Sequence, residues 1–165
     1  MAEDFQPDQL SADKAQRYRE LGVEIASVLE GEGNLVARMA TVSSMLRQAF
    51  AHFFWVGFYV VDPLKGDELV VGPYQGTLGC LRIAFGRGVC GAAAARRETV
   101  LVEDVDAFPG HIACDSQSKS EVVVPVFDAT DAMIAVLDVD ATTLAAFDLV
   151  DAHGLEAILR ASFAG

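Results

Sequence analysis

The run from Phe53 to Val61, Phe-Phe-Trp-Val-Gly-Phe-Tyr-Val-Val, limits the possible folds more than any other stretch of the chain. It carries no charge, is dense in aromatic and β-branched residues, and stops at Asp62-Pro63, with Lys65-Gly66-Asp67 continuing the turn. That pattern reads as a central strand running into a hairpin whose second arm is Glu68 to Val71. Trp55 and Tyr59 are four residues apart and so share a face of the strand.

The elements around this hairpin follow from periodicity. From Ser11 to Glu30 the apolar residues Tyr18, Leu21, Ile25 and Val28 recur at helical spacing, and Gly31-Glu32-Gly33 breaks the pattern. Asn34 is placed to cap a second helix with Leu35, Met39, Val42 and Leu46 as its buried stripe. Gly86, Gly88 and Gly91 surround Val89-Cys90 ahead of the helix-forming Ala92 to Ala95, a glycine-rich lead into a helix. Thr99–Val102, Glu121–Phe127 and Met133–Asp140 read as further strands, and Phe147–Phe163 as a closing helix. Between them Glu103–Ser120 is polar, holds Pro109-Gly110 and reads as a long structured loop.

These elements predict one α+β domain over residues 1–165 with an antiparallel central sheet, residues 1–13 forming an N-terminal tail. A chain of 165 residues buries roughly two-thirds of its unfolded surface, enough for a single core. Gly86-x-Gly88-x-x-Gly91 matches the letters of a dinucleotide fingerprint, but no βαβ unit surrounds it.

Charge narrows the partners. With 24 acidic against 12 basic residues the net charge is −12, which repels phosphate backbones and anionic lipid surfaces, so nucleic acid and membranes are not expected as partners. The N-terminus is acidic where a secretory signal is basic, so a cytoplasmic location is expected. An odd count of three cysteines in such a chain points to free thiols, metal ligation or redox work rather than a disulfide framework.

Each cysteine has its own setting. Cys90 lies at the start of a helix near Arg87, where a thiolate would be favoured, unless it is a small apolar residue packed beneath that helix. Cys114 lies in the polar loop, beside His111 and Asp115, within reach of a substrate and of a second thiol. Cys80 follows the flexible Gly76-Thr77-Leu78-Gly79, which suits a resolving cysteine. No Cys-x-x-Cys unit is present, so no metal is expected. A second constellation is acidic: Glu121 starts one strand, while Asp138 and Asp140 share a face of another. In an apolar run these two either serve a pocket or mark a solvated edge strand. If the face bearing Trp55 and Tyr59 lines that pocket, it offers an apolar wall to a thioether-like side chain.

Taken together, Trp55-Val56-Gly57-Phe58-Tyr59, Gly72-Pro73-Tyr74-Gln75-Gly76, Gly86-Arg87-Gly88-Val89-Cys90-Gly91, Phe108-Pro109-Gly110-His111-Ile112-Ala113-Cys114-Asp115 and Leu137-Asp138-Val139-Asp140 resemble the free methionine-R-sulfoxide reductases, a GAF-domain family. The resemblance runs from about Leu35 to the last helix, and the three cysteines match its three positions; the hairpin turn near Pro63-Leu64-Lys65 is longer than the family's. It implies a GAF-like fold with about six antiparallel strands flanked by helices, in a homodimer. It also implies reduction of free L-methionine (R)-S-oxide without a bound cofactor. Cys114 is then the attacking thiol, Cys80 the resolving thiol, and Cys90 a thiol of undetermined role. Glu121, Asp138 and Asp140 supply the proton and hold the substrate's ammonium, Trp55 and Tyr59 complete the binding site, and thioredoxin or a similar dithiol protein recycles the disulfide. The rival reading is a GAF domain that senses a small ligand or a redox change without turnover.

Overall fold

A computed structural model describes residues 4–165. Its centre is a six-stranded antiparallel sheet of β1 (Trp55–Val61), β2 (Glu68–Gln75), β3 (Arg82–Ala84), β4 (Val100–Val102), β5 (Ser120–Phe127) and β6 (Met133–Ala141). The spatial order is β3-β2-β1-β6-β5-β4, so β1 and β6 form the middle pair. Helices α1 (Lys14–Val28), α2 (Leu35–Ala49) and α4 (Leu149–Phe163) serve one face, while α3 (Gly88–Arg96) packs on the other against β5 and β6. The α+β architecture and the six antiparallel strands agree with expectation.

Strand alternation divides the interior in two. Val56, Phe58, Val122, Val124, Leu137 and Val139 point toward the three-helix side and meet Leu21, Val42, Leu46, Leu155 and Phe163. Trp55, Tyr59, Val123 and Val136 point the other way and meet Val89, Cys90 and Ala93 of α3. The sheet is thus covered on both faces, which is why β1 is apolar at every position.

On the three-helix side, α1 is fastened to α4 by polar contacts. Asp148 caps α4 by accepting from the amides of Val150 and Asp151, and Asp151 returns the bond to the Asp148 amide at 2.9 Å. Asp151 is fully buried, accepts from the Tyr18 hydroxyl at 2.7 Å and pairs with Lys14 at 2.8 Å. A buried carboxylate is tolerable only with such partners.

Several local expectations change. Val28 and Leu35 do not belong to the buried stripes, being 36% and 48% exposed. The chain leaves α1 at Val28 and tucks the next residue, Leu29, into the core. Asn34 caps α2 as read, its side-chain oxygen accepting from the Ala37 amide at 3.0 Å. Strand β3 was not expected from the residues alone: it is three residues long, and only Ile83 is buried, too short a pattern to show a period. Within the segment read as a tail, Phe5 and Leu10 pack against the core and Arg17 donates to the carbonyls of Pro7, Leu10 and Ser11. Residues 1–3 lie outside the described residues.

Candidate active site

The site grows from the register of the three middle strands on the α3 side. Trp55 of β1 stands opposite Asp140 of β6, which stands opposite Glu121 of β5. One pleat further along, Gly57, Asp138 and Val123 form the next row. Alternation therefore brings Glu121, Asp138 and Asp140 to one face, where they are only 5%, 6% and 9% exposed. Since β6 is interior to the sheet, the solvated-edge reading of Asp138 and Asp140 is excluded.

Glycine spacing sets the cover. Gly86 and Gly88 hold φ +82° and +60°, which turn the chain sharply into α3. A Cβ on Gly91 would lie 2.4 Å from the Ala84 carbonyl oxygen, so only glycine lets the first turn of α3 sit this close to β3. Cys90 is thereby lowered onto the carboxyls, its Sγ 3.9 Å from Glu121 Oε1. One ligand atom each from Cys90, Glu121 and Asp138 lies within 4.8 Å of the others.

An aromatic wall stands beside this cluster. Trp55 stacks on Tyr59 at 5.6 Å between ring centroids and on Tyr74 at 4.9 Å. Gly57 makes room for Tyr74, whose Cβ would lie 2.1 Å from any Cβ placed there.

Two loops close the top. Cys80, half-buried on the loop between β2 and β3, is joined in a disulfide to exposed Cys114 on the loop between β4 and β5, with their Cα atoms 5.6 Å apart. The pocket beneath them has a volume of about 40 Å³, and its lining includes Trp55, Tyr59, Cys90, Cys114, Glu121, Asp138 and Asp140.

Electrostatics make the floor a reservoir of protons. Burial first, and then the charge of Asp140, push Glu121 up to about 8. Burial followed by Glu121 raises Asp138 well above its ordinary range, and burial followed by Asp138 raises Asp140. Carboxyls crowded together without water raise one another in this way. Asp138 Oδ1 is buried with no hydrogen-bond partner among the described residues. Tyr59 is held as the neutral phenol, by burial first and then by Asp138.

Of the two readings of Cys90, the structure favours the residue packed beneath α3 over the thiolate. Burial, followed by the charges of Asp138, Glu121 and Asp140, raises its pKa well above the ordinary thiol value. Arg87 is exposed, and the start of α3 does not outweigh three carboxyls. Cys90 is a buried thiol. His111, whose role was left open, reaches Glu121 at 3.8 Å; burial lowers its pKa, leaving a neutral ring. Asp104 caps the short turn Val105–Ala107, as befits a solvated loop residue. Sequence reading missed the contact of His111 with Glu121 and the place of Tyr74 in the stack. His111 is brought in by a loop, and Tyr74 by its place in β2 opposite Gly57, where the lack of a side chain admits its ring.

Comparison with known proteins agrees with this geometry. The GAF domain family model matches residues 8–161. GAF domain-containing protein A of Dictyostelium discoideum is 46% identical over 97% of this chain and 98% of its own length. The free methionine-R-sulfoxide reductase of Escherichia coli is 40% identical over 88% of this chain and 86% of its own. In the X-ray structure of the free methionine-R-sulfoxide reductase of Neisseria meningitidis in complex with its substrate, the fold superposes with a TM-score of 0.87 at 51% identity, covering 93% of this chain and 90% of that one. With this likeness across nearly its whole length, the chain belongs to the free methionine-R-sulfoxide reductase family of GAF-domain proteins.

Proposed function

We propose that the protein reduces free L-methionine (R)-S-oxide to L-methionine. The observation that carries this reading is the Cys80–Cys114 disulfide, whose Cys114 lines the same pocket as the buried carboxyls of Glu121, Asp138 and Asp140. A sulfoxide oxygen leaves only when protonated, so a thiol reductase needs an acid facing its nucleophile. In the reduced protein Cys114 is the nucleophile. Its thiolate attacks the sulfoxide sulfur while Glu121 gives its proton to the oxygen. The hydroxyl then passes from the substrate sulfur to Cys114 Sγ as the new bond between the two sulfurs breaks, so methionine leaves with its sulfur reduced by two electrons and Cys114 is left as a sulfenic acid. Cys80 then attacks Cys114 Sγ, water departs, and the disulfide forms. Asp138, with its unpartnered buried oxygen, and Asp140 hold the substrate ammonium, while the Trp55–Tyr59 stack receives the thioether chain. Cys90, a thiol against Glu121, passes protons within the cluster.

A thioredoxin-type dithiol protein closes the cycle by exchange with the disulfide, in the cytoplasm and with the enzyme as a homodimer. These parts of the proposal rest on the family pattern. No helix among the described residues is long and apolar enough to cross a membrane.

The test uses separated R and S epimers of free methionine sulfoxide and a peptide-bound control, with dithiothreitol as reductant. Methionine should appear from the free R epimer alone; no methionine would leave the ligand-sensor or redox-sensor reading in its place. Cys114→Ser should abolish even the first turnover. With a thioredoxin-type dithiol protein in place of dithiothreitol, Cys80→Ser should permit one turnover and then stall.

A further inference from the structure

The two sulfurs of the disulfide sit on loops that are remote in sequence, 34 residues apart, and share no strand pairing. Besides the disulfide, one hydrogen bond joins those loops among the described residues. Thr77 Oγ1, three residues before Cys80, donates to Asp115 Oδ2, next to Cys114, at 2.7 Å. Both ends are anchored. The Thr77 carbonyl accepts from Trp55 Nε1 at 2.9 Å, and Gly79 lies so close to the Trp55 ring that a Cβ there would be 3.0 Å from it. Asp115 Oδ1 accepts from the Gln117 amide at 2.8 Å, which fixes the carboxylate in its own loop. Those two donors, Gln117 first and Thr77 second, hold Asp115 below the usual carboxylate range, so it is an ionised acceptor at neutral pH.

We propose that Thr77 and Asp115 are a positioning pair that keeps the two loops together while the disulfide is open, and so sets the rate at which Cys80 closes the Cys114 sulfenic acid. The inference rests on the assignment of Cys114 as nucleophile and Cys80 as resolver. Closure requires the Cys80 thiolate to meet Cys114 Sγ; the S–S bond forms, the S–O bond breaks, and hydroxide leaves and takes up a proton as water. This step is intramolecular, and its rate follows the effective concentration of one sulfur at the other. With the disulfide reduced, the loops retain only this cross-link near the sulfurs. A delay here exposes the sulfenic acid to further, irreversible oxidation.

The experiment is a single turnover of the fully reduced protein with free methionine (R)-sulfoxide and no added reductant. Methionine release, loss of two thiols and capture of Cys114 by dimedone are followed in parallel. In Thr77→Val, which keeps the shape and removes the hydroxyl, methionine release should stay within about twofold of the parent while closure slows by about tenfold. Dimedone capture of Cys114 should rise accordingly, and Thr77→Ser should restore closure. Asp115→Ala should slow closure as Thr77→Val does; because Asp115 lines the pocket and its charge bears on Asp140, only the closure rate is read in that variant. Closure at the parental rate in Thr77→Val, or equal slowing of release and closure, would overturn the proposal. A second arm forms the sulfenic acid with hydrogen peroxide instead of substrate. If the parent makes no methionine, the proposed function fails, whereas the closure rates in this arm still decide whether Thr77 positions the resolving thiol.

Discussion

Replacing Glu121 by Gln separates the chemical use of the buried carboxyl from its cost. The residue titrates near 4.5 when solvated and at about 8 when folded. A raised carboxyl holds its proton in the folded protein and loses it on unfolding, so its contribution to stability is complete below about 4.5 and declines as pH rises. The decline ends once the folded form also ionises, at about 8. At about 1.4 kcal/mol per tenfold change in proton affinity, the window contains on the order of 5 kcal/mol, and on the order of 3 kcal/mol has been lost by pH 7. Glu121→Gln is neutral in both states and escapes this loss. Denaturant unfolding of the reduced proteins at half-unit steps from pH 4.5 to 9 should show the variant gaining on the parent through that window, then running parallel to it. Turnover should move the other way. Loss of a general acid costs about 10²- to 10⁴-fold, so kcat/KM for the free R epimer should drop by at least 100-fold, and the parent's activity should fall above pH 8. A stability difference independent of pH, or a variant within about threefold of parental kcat/KM, would refute the assignment.

Other perturbations test the frame around the site. Tyr18→Phe strands Asp151 Oδ1 in the interior and should lower unfolding stability by about 1–3 kcal/mol, read from the urea midpoint with an unchanged slope. Gly91→Ala forces α3 away from the Ala84 carbonyl and should cost about 1–3 kcal/mol; a neutral result would mean that β3 yields freely. In the reduced native protein iodoacetamide should label Cys114 at pH 7.5 while Cys90 stays unmodified until unfolding, as mass spectrometry of the peptides will show. Comparable labelling of Cys90 would contradict its burial beneath α3.

What the sequence reveals depends on whether a feature repeats. The acidic trio was legible because a period of two fixes the face that Asp138 and Asp140 share, and the hydrophobic run of β1 identified a central strand. The lead into α3 was legible because Gly86, Gly88 and Gly91 are punctuation that few other structures require. The family resemblance then ranked the cysteines. The loop contacts were not legible: Thr77 with Asp115, and His111 with Glu121, each join residues brought together only by tertiary closure. Which of the two readings of Cys90 holds was not legible either, because the local cue, a helix start, acts over one turn, whereas the carboxyls that oppose it arrive from β5 and β6.

The same packing accounts for both the reactivity of the pocket and its fragility. Without substrate, three carboxyls are tolerated on the inner face of a sheet while they hold their protons, a form favoured by the wall of Trp55, Tyr59 and Tyr74 and by the cover of α3, and a bound ammonium would offset the charge of one that ionises. Opening either to water would let the cluster ionise near its ordinary range, and the acid needed to release the sulfoxide oxygen would be absent at neutral pH. Burial of the proton source and accessibility of the thiol therefore have to be supplied by different parts of the chain. In the proposed mechanism the sheet and α3 hold the acid, and the loops hold Cys80 and Cys114, which open to reduction and close again. A substitution in the sheet should for that reason alter the pH profile of methionine release, while one in the loops should alter the fate of the sulfenic acid after methionine has gone.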